Sequence, residues 1–468
     1  MNKENRRIIL VLTAFCMMFV GLVAYMSYFQ VFRAEAVKNN SYNKRLWINE
    51  ENVLRGSIID RNGNVLAYSE KNEDVNIRYY KYGNLYSHII GYSYREYGKA
   101  GLELEYNNVL LGISENAAIN ELRNLVLPTS VGNDIRLTID HGTQEKARNL
   151  LNGRKGSIVL MNPKNGEVYA MVSLPDFNTS KLQGNWEDIT ENPDSPFINR
   201  ATQGLYSPGS IFKIITTLSL MESLDVDLEY ECVGSTNIDG YILRDYNERA
   251  HGKLDLKEAF VKSCNTYFGE KTLDIGKERL GSVAERFMIN QDIDFDLPVK
   301  VSQFPYKGNI GDTELAASGI GQGKVVTTPL NMAMMVSAIA NDGDMVSPIL
   351  VIEIINKDGR ITRAMTSKTI SNVTSPSIAN EIKDMMVDAV ATGTGTNARI
   401  RNVTVAGKTG TAENPSGNSH SWFVGFAPAE DPRLAVAVIL EEAGTTGGQG
   451  AAPVARDLLI HGLNNIDF

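Results

Sequence analysis

Cysteine and histidine are scarce. The 468 residues include three cysteines and five histidines, which excludes a disulfide-stapled scaffold and leaves little material for a metal site. Neither H-E-x-x-H nor C-x-x-C occurs. A surplus of positive charge is missing too. The 46 lysines and arginines are outweighed by 55 acidic residues, for a net charge of −9. With no basic stripe, this argues against a nucleic-acid partner. No internal repeat or low-complexity run is present. A complete phosphate-binding loop is also lacking. Gly407-Lys408-Thr409 fits the end of G-x-x-x-x-G-K-[ST], but Asn402 stands where the first glycine belongs. Pro415 and Gly417 turn the chain where that motif's helix should follow. The V-T-V-A upstream reads as a strand running on through Lys408. The lysine therefore needs another role.

What is abundant is apolar: 43% of the chain, against 22% charged, so a packed core is expected. From Ile8 to Phe32 there is no charge, a run long enough to span a bilayer as a helix. Lys3, Arg6 and Arg7 precede it, which predicts a cytoplasmic tail at 1–7, an anchor at 8–32 and everything later outside. A cleaved signal peptide, with Ala34 and Ala36 near the cut, is the competing reading, but its apolar region would be shorter. Cys16 lies in the span. Cys232 and Cys264 lie outside, where a disulfide is permitted, two buried free thiols are equally compatible, and a metal site with His251 is a third option.

Outside the membrane, RGSIIDRNGNVLAYS at 55–69 reads as strand, Asn-Gly turn, strand. DIRLTID is a short alternating strand and HGTQEKARNLLN a helix. SIVLMNPKNGEVYAMVS and HSWFVGFAPAEDPRLAVAVILEE read as hairpins, and AAPVARDLLIHGLNN as a closing helix. Between them, roughly 205 to 400, helical patterns dominate. The expectation is a strand-rich N-terminal pedestal at 33–150 and an α/β layered domain at 151–468 with an antiparallel sheet. His420 reads as a loop residue. The glycine-rich stretches at 393–396 and 444–450 read as tight turns.

Three short motifs carry chemistry. In YSPGSIFK, Ser210 opens a helix and Lys213 follows three residues later on the same face. A lysine whose charge is suppressed by burial could take the proton of that hydroxyl. Ser263-Cys264-Asn265 follows in AFVKSCNTYFGE, and Lys408-Thr409-Gly410-Thr411 in GKTGTAE. Each motif alone is weak: S-x-x-K is mostly an N-cap serine beside a surface lysine. The trio S-x-x-K, S-x-N and K-T-G is the set of the penicillin-binding proteins and class A β-lactamases.

On these motifs the chain resembles the class B penicillin-binding proteins, monofunctional D,D-transpeptidases of peptidoglycan synthesis. The resemblance runs almost end to end: RGSIIDRNGNVLA at 55–67 and GLELEYNNVLLG at 101–112 in the pedestal, then YSPGSIFK, HGKLDLKEAFVKSCNTYF, GIGQGKVVTTPLNMA, GTGTNA, GKTGTAE, SWFVGFAP and AAPVARDLL. Only residues 68–100 separate the two pedestal signatures, so it is similar to the compact members without a large head insertion, and a glycosyltransferase domain has no room. The resemblance implies a serine β-lactamase/transpeptidase-like fold, with helices on both faces of the sheet. It implies Ser210 as nucleophile, Lys213 as its base, Ser263 as proton relay and Lys408 as cation. Asn265, Thr409, Gly410 and Thr411 would bind substrate, with the N–H groups of Ser210 and Thr411 as oxyanion hole. Neither cofactor nor metal is implied. The implied partners are stem peptides, β-lactam antibiotics and a polytopic membrane glycosyltransferase of the shape, elongation, division and sporulation group. A β-lactamase, a D,D-carboxypeptidase and a non-catalytic β-lactam sensor share the trio. The anchor and pedestal signatures count against the first, and the short tail against the last.

Overall fold

Five strands, mostly continuous apolar runs, make the central sheet. Their order is Val168–Leu174, Gly156–Met161, Leu434–Leu440, His420–Ala427 and Ala406–Ala412, antiparallel throughout. The computed structural model describes residues 3–33, 53–72, 75–113 and 130–468. Every residue of Gly156–Met161, Val168–Leu174 and Leu434–Leu440 is buried, because helices cover both faces and no strand side needs to be polar. Alternate residues feed opposite cores. Ile158, Leu160, Val436 and Val438 pack into the core that includes Ala451–Asn465 and His141–Leu151. Val159, Met161, Ala437 and Ile439 enter the larger core with Pro329–Ala340. That helix is buried along its whole length. It starts where Thr328 accepts from the N–H of Asn331, with proline at its first position. Both expected hairpins form, and the fold class is the one expected.

A second sheet gathers the N-terminal strands. Its order is Ile361–Ala364, Val351–Ile355, Asp134–Leu137, Ile58–Ile59, Val65–Asn72 and Val75–Tyr80. The Asn-Gly turn joins Ile58–Ile59 to Val65–Asn72 as expected. Buried Asp60 accepts from the N–H groups of Asn62 and Asn64, which fixes the turn. Two strands, Val351–Ile355 and Ile361–Ala364, come from far down the chain, inside the span expected to be helical and to belong to the other domain. A cut at 150/151 would also divide the helix His141–Leu151, whose packing is against Ala451–Asn465 and Val168–Leu174. The two pedestal signatures meet in the interior. Arg55 and Arg78 bind opposite oxygens of Glu103 at 2.5 and 2.6 Å, and Glu103 is fully buried. Burial alone would raise that carboxyl's pKa, but the two guanidinium groups outweigh it and hold it below the usual range.

The helix Lys3–Phe32 contains Asn5–Phe32, which is long and apolar enough to cross a bilayer. The alternative cleavage position at Ala34 and Ala36 lies outside the described residues.

Candidate active site

Ser210 sits in a single 3₁₀ turn, Gly209–Ile211, and the α-helix proper begins at Lys213. The serine thus precedes the helix rather than opening it. Gly209 has φ 56°, and a Cβ there would lie 2.7 Å from the carbonyl oxygen of Thr411, so only glycine fits. Gly410 answers from the facing strand: a Cβ on it would come within 2.8 Å of the Pro208 oxygen. The two glycines let the turn Gly209–Ile211 lie directly against the edge strand Ala406–Ala412. Fully buried Trp422 on the next strand adds a tie, donating from Nε1 to the oxygen of Ser207 at 3.1 Å.

Ser263 caps the helix Leu256–Lys262 in the left-handed region, φ 58°. This bends the chain so that its hydroxyl meets two amines. Lys408 Nζ donates to Ser263 Oγ at 2.8 Å and Lys213 Nζ at 3.3 Å. Lys213 also donates to the Ser263 carbonyl and to Asn265 Oδ1, both at 2.8 Å. Both lysines are fully buried. Burial lowers the Lys213 amine to a pKa of about 8, against an upward pull from Cys264 and Asp245. Burial and then the neighbouring Lys213 push Lys408 well below its ordinary value. Two ammonium groups on one hydroxyl repel each other, so the pair favours a state with one amine neutral.

The three motifs therefore converge on one oxygen, that of Ser263. One expected contact differs. Among the described residues no hydrogen bond joins Lys213 to Ser210; the contacts of the amine go to the Ser263 hydroxyl and carbonyl and to Asn265 Oδ1. The i, i+3 spacing places both residues on one face, while the nearest acceptors decide where a four-carbon stem ends. Asn265 is also more tied than expected: Nδ2 donates to the Arg244 oxygen at 3.0 Å, which leaves one N–H for a ligand.

On the edge strand, Thr411 is half-buried and its hydroxyl accepts from the N–H of Gly447 at 3.2 Å. Thr409 is buried, and its hydroxyl lies 2.6 Å from that of Thr394. The stretches 393–396 and 444–450 thus border the strand. His420 is a correction: it begins the strand His420–Ala427, and its Nδ1 accepts from the N–H of Glu442. Asp245, Thr394 and Trp422 went unnoticed in the sequence. Asp245 accepts from the Asn265 N–H and from Thr266 Oγ1, and nothing in its local sequence signals that. Cys232 and Cys264 are buried free thiols, which removes the disulfide option.

Two family profiles match: the penicillin binding protein transpeptidase domain over residues 156–460 and the penicillin binding protein A dimerisation domain over 55–134. The peptidoglycan D,D-transpeptidase PbpA of Mycolicibacterium smegmatis is 31% identical over 487 aligned residues, covering 97% of this chain and 98% of that protein. The D,D-transpeptidase domain of a peptidoglycan glycosyltransferase from Eggerthella lenta superposes with a TM-score of 0.80 at 34% identity, covering 88% of this chain and 99% of that one. The ceftriaxone acyl-enzyme of penicillin-binding protein A from M. tuberculosis gives 0.82 at 28% identity, over 88% and 99%. With S-x-x-K, S-x-N and K-T-G closing on a single hydroxyl inside this fold, the chain belongs to the class B penicillin-binding proteins.

Proposed function

We infer that this chain is a peptidoglycan D,D-transpeptidase in which Ser210 forms the acyl-enzyme. The observation that carries the assignment is the shared hydroxyl of Ser263, which accepts from Lys213 and Lys408 at once. A proton leaving Ser210 for a neutral Lys213 has a hydrogen-bonded route onward through Ser263. Ser210 Oγ attacks the carbonyl between the two terminal D-alanines of a stem peptide. The C–N bond then breaks, and the departing D-alanine takes its proton through Ser263. The Thr411 side of the strand supports an oxyanion hole. In a strand a residue's N–H and C=O point the same way, and the Thr411 carbonyl faces Gly209. Its N–H is thus aimed at the nucleophile turn, beside that of Ser210. One such donor is worth about 10²–10³ in rate. Lys408 and the hydroxyl of Thr411 would hold the substrate's terminal carboxylate, with Thr409 steadied by Thr394. Asn265 offers its remaining N–H to the peptide. An amine from a neighbouring stem peptide then attacks the ester and releases Ser210. A β-lactam enters by the same first step and remains.

We also propose that the N-terminal helix anchors the chain with its basic end inside, that residues 53–137 with 351–364 form the pedestal, and that a polytopic membrane glycosyltransferase supplies the glycan strands. The test is to label the detergent-purified full chain with a fluorescent penicillin, map the modified residue, and follow cross-linking of pentapeptide strands. Label on Ser210, slow release and cross-linked product are expected. Label persisting on Ser210→Ala refutes the nucleophile. Rapid release of hydrolysed penicillin would make the enzyme a β-lactamase instead.

A further inference from the structure

Beside the S-x-N corner lies a cluster that the reaction does not use. Cys232, Asp245, His251 and Cys264 place one ligand atom each within 4.8 Å of one another. Cys232 Sγ is 3.1 Å from Asp245 Oδ2 and 3.4 Å from His251 Nδ1, and Cys264 Sγ is 3.5 Å from the same carboxylate oxygen. Zinc bonds of about 2.0–2.3 Å at tetrahedral angles set ligand atoms about 3.3–3.8 Å apart. Three of the six separations are close to those edges, and the others lie within 4.8 Å. Cysteine and histidine are scarce in the sequence, where a metal at Cys232, Cys264 and His251 is one option of three; the fold brings two of the three cysteines, one of the five histidines and a carboxylate to one point.

From this geometry we propose that the four side chains bind a divalent zinc-class cation as a structural site. Two thiolates, an imidazole and a carboxylate suit zinc better than magnesium or calcium, which prefer all-oxygen shells. All four positions are filled by protein, so no position is open for catalysis. Binding is balanced as follows: each thiol gives up its proton, two metal–sulfur bonds form, and two protons pass to solvent. Outer support is in place. Thr266 Oγ1 donates to Asp245 Oδ2 at 2.7 Å, and the Tyr267 N–H points at Cys264 Sγ at 3.4 Å.

The site has a structural task. Residues 230–254 form an excursion of two small ribbons, Tyr230–Cys232 with Gly252–Leu254 and Ser235–Ile238 with Tyr241–Arg244. Ile238, Leu243 and Leu254 point inward, but Val233, Tyr241, Ile242 and Tyr246 are exposed, and a small unit with so little core of its own gains from a staple. Three ligands come from this excursion. The fourth, Cys264, stands between Ser263 and Asn265, and Asp245 also holds the Asn265 N–H. The cation would thus fix the corner on which both lysines converge.

The experiment uses the full chain in detergent, prepared without chelator from zinc-supplemented cells. The expected result is about one zinc per chain after extensive dialysis. Replacing zinc by Co²⁺ should give thiolate-to-cobalt charge-transfer bands and intense tetrahedral d–d bands. Release of the metal should accompany titration of the two thiols with a mercurial. Cys232→Ser and His251→Ala should each weaken zinc binding by at least the ~10–100-fold that even an outer-shell loss costs. The cobalt spectrum of the unaltered chain needs no variant, so a misfolded variant does not blunt the test. No retained zinc and no cobalt bands would overturn the proposal. So would a Cys232–Cys264 disulfide in protein alkylated at lysis, or full zinc occupancy in a folded variant carrying both Cys232→Ser and His251→Ala.

Discussion

Lys408 and Ser263, 145 residues apart, are joined by a 2.8 Å hydrogen bond between amine and hydroxyl. That contact links the edge strand of the sheet to a helix cap in the helical layer. Lys213 reaches the same hydroxyl from a third element, and the consequences can be measured.

Lys213→Ala should slow penicillin acylation of Ser210 by about 10²–10⁴, the usual contribution of a positioned base. Stopped-flow acylation reads this directly, and an unchanged rate would exclude Lys213 as the base.

The pH dependence of that rate has a definite sign. Burial lowers the Lys213 pKa to about 8, so the neutral amine accumulates as pH rises towards that value. Acylation should climb about tenfold per pH unit below 8 and level off above it. A flat profile between pH 6 and 9 would contradict the assignment.

Gly410→Ala should cost activity more than stability. Its Cβ would sit 2.8 Å from the Pro208 oxygen, pushing the strand off the nucleophile turn. A displacement of about 1 Å at reacting groups can cost about 10² in rate. A melt within a few degrees of the parent, with acylation reduced that far, is the expected pair of results.

Glu103→Gln should do the reverse. Removing the charge leaves Arg55 and Arg78 without a counter-ion in the interior, a loss of about 3–5 kcal/mol. Because Glu103 has a depressed pKa in the fold, the parent's stabilisation is present above the ordinary carboxylate range and fades as pH falls through the folded value. The variant should show a lower denaturation midpoint and a weaker acid dependence. Its folded fraction should still be labelled by penicillin at the parent rate.

Local signals made much of this legible in the sequence. Turns such as Pro163-Lys164-Asn165-Gly166 announced their hairpins, and the spacing of Ser210 and Lys213 announced a shared face. The three motifs announced the reaction. What stayed hidden was long-range. No pattern in Val351–Ile355 says that it pairs with Asp134–Leu137. Nothing around Asp245 says that it will brace Asn265. The Lys213 amine hydrogen-bonds Ser263 and Asn265, some fifty residues away, rather than Ser210 three residues back. Side-chain spacing fixes a direction; the assembled surroundings fix the partner.

The strand exchange between the pedestal and the catalytic half bears on how the enzyme can be cut down for the laboratory. A fragment starting at residue 151 would strip Val351–Ile355 of its neighbour and bare a ladder of unpaired N–H and C=O groups beside Val351 and Ile354. Such an edge invites aggregation, so a soluble version should begin before Val53 and keep both halves.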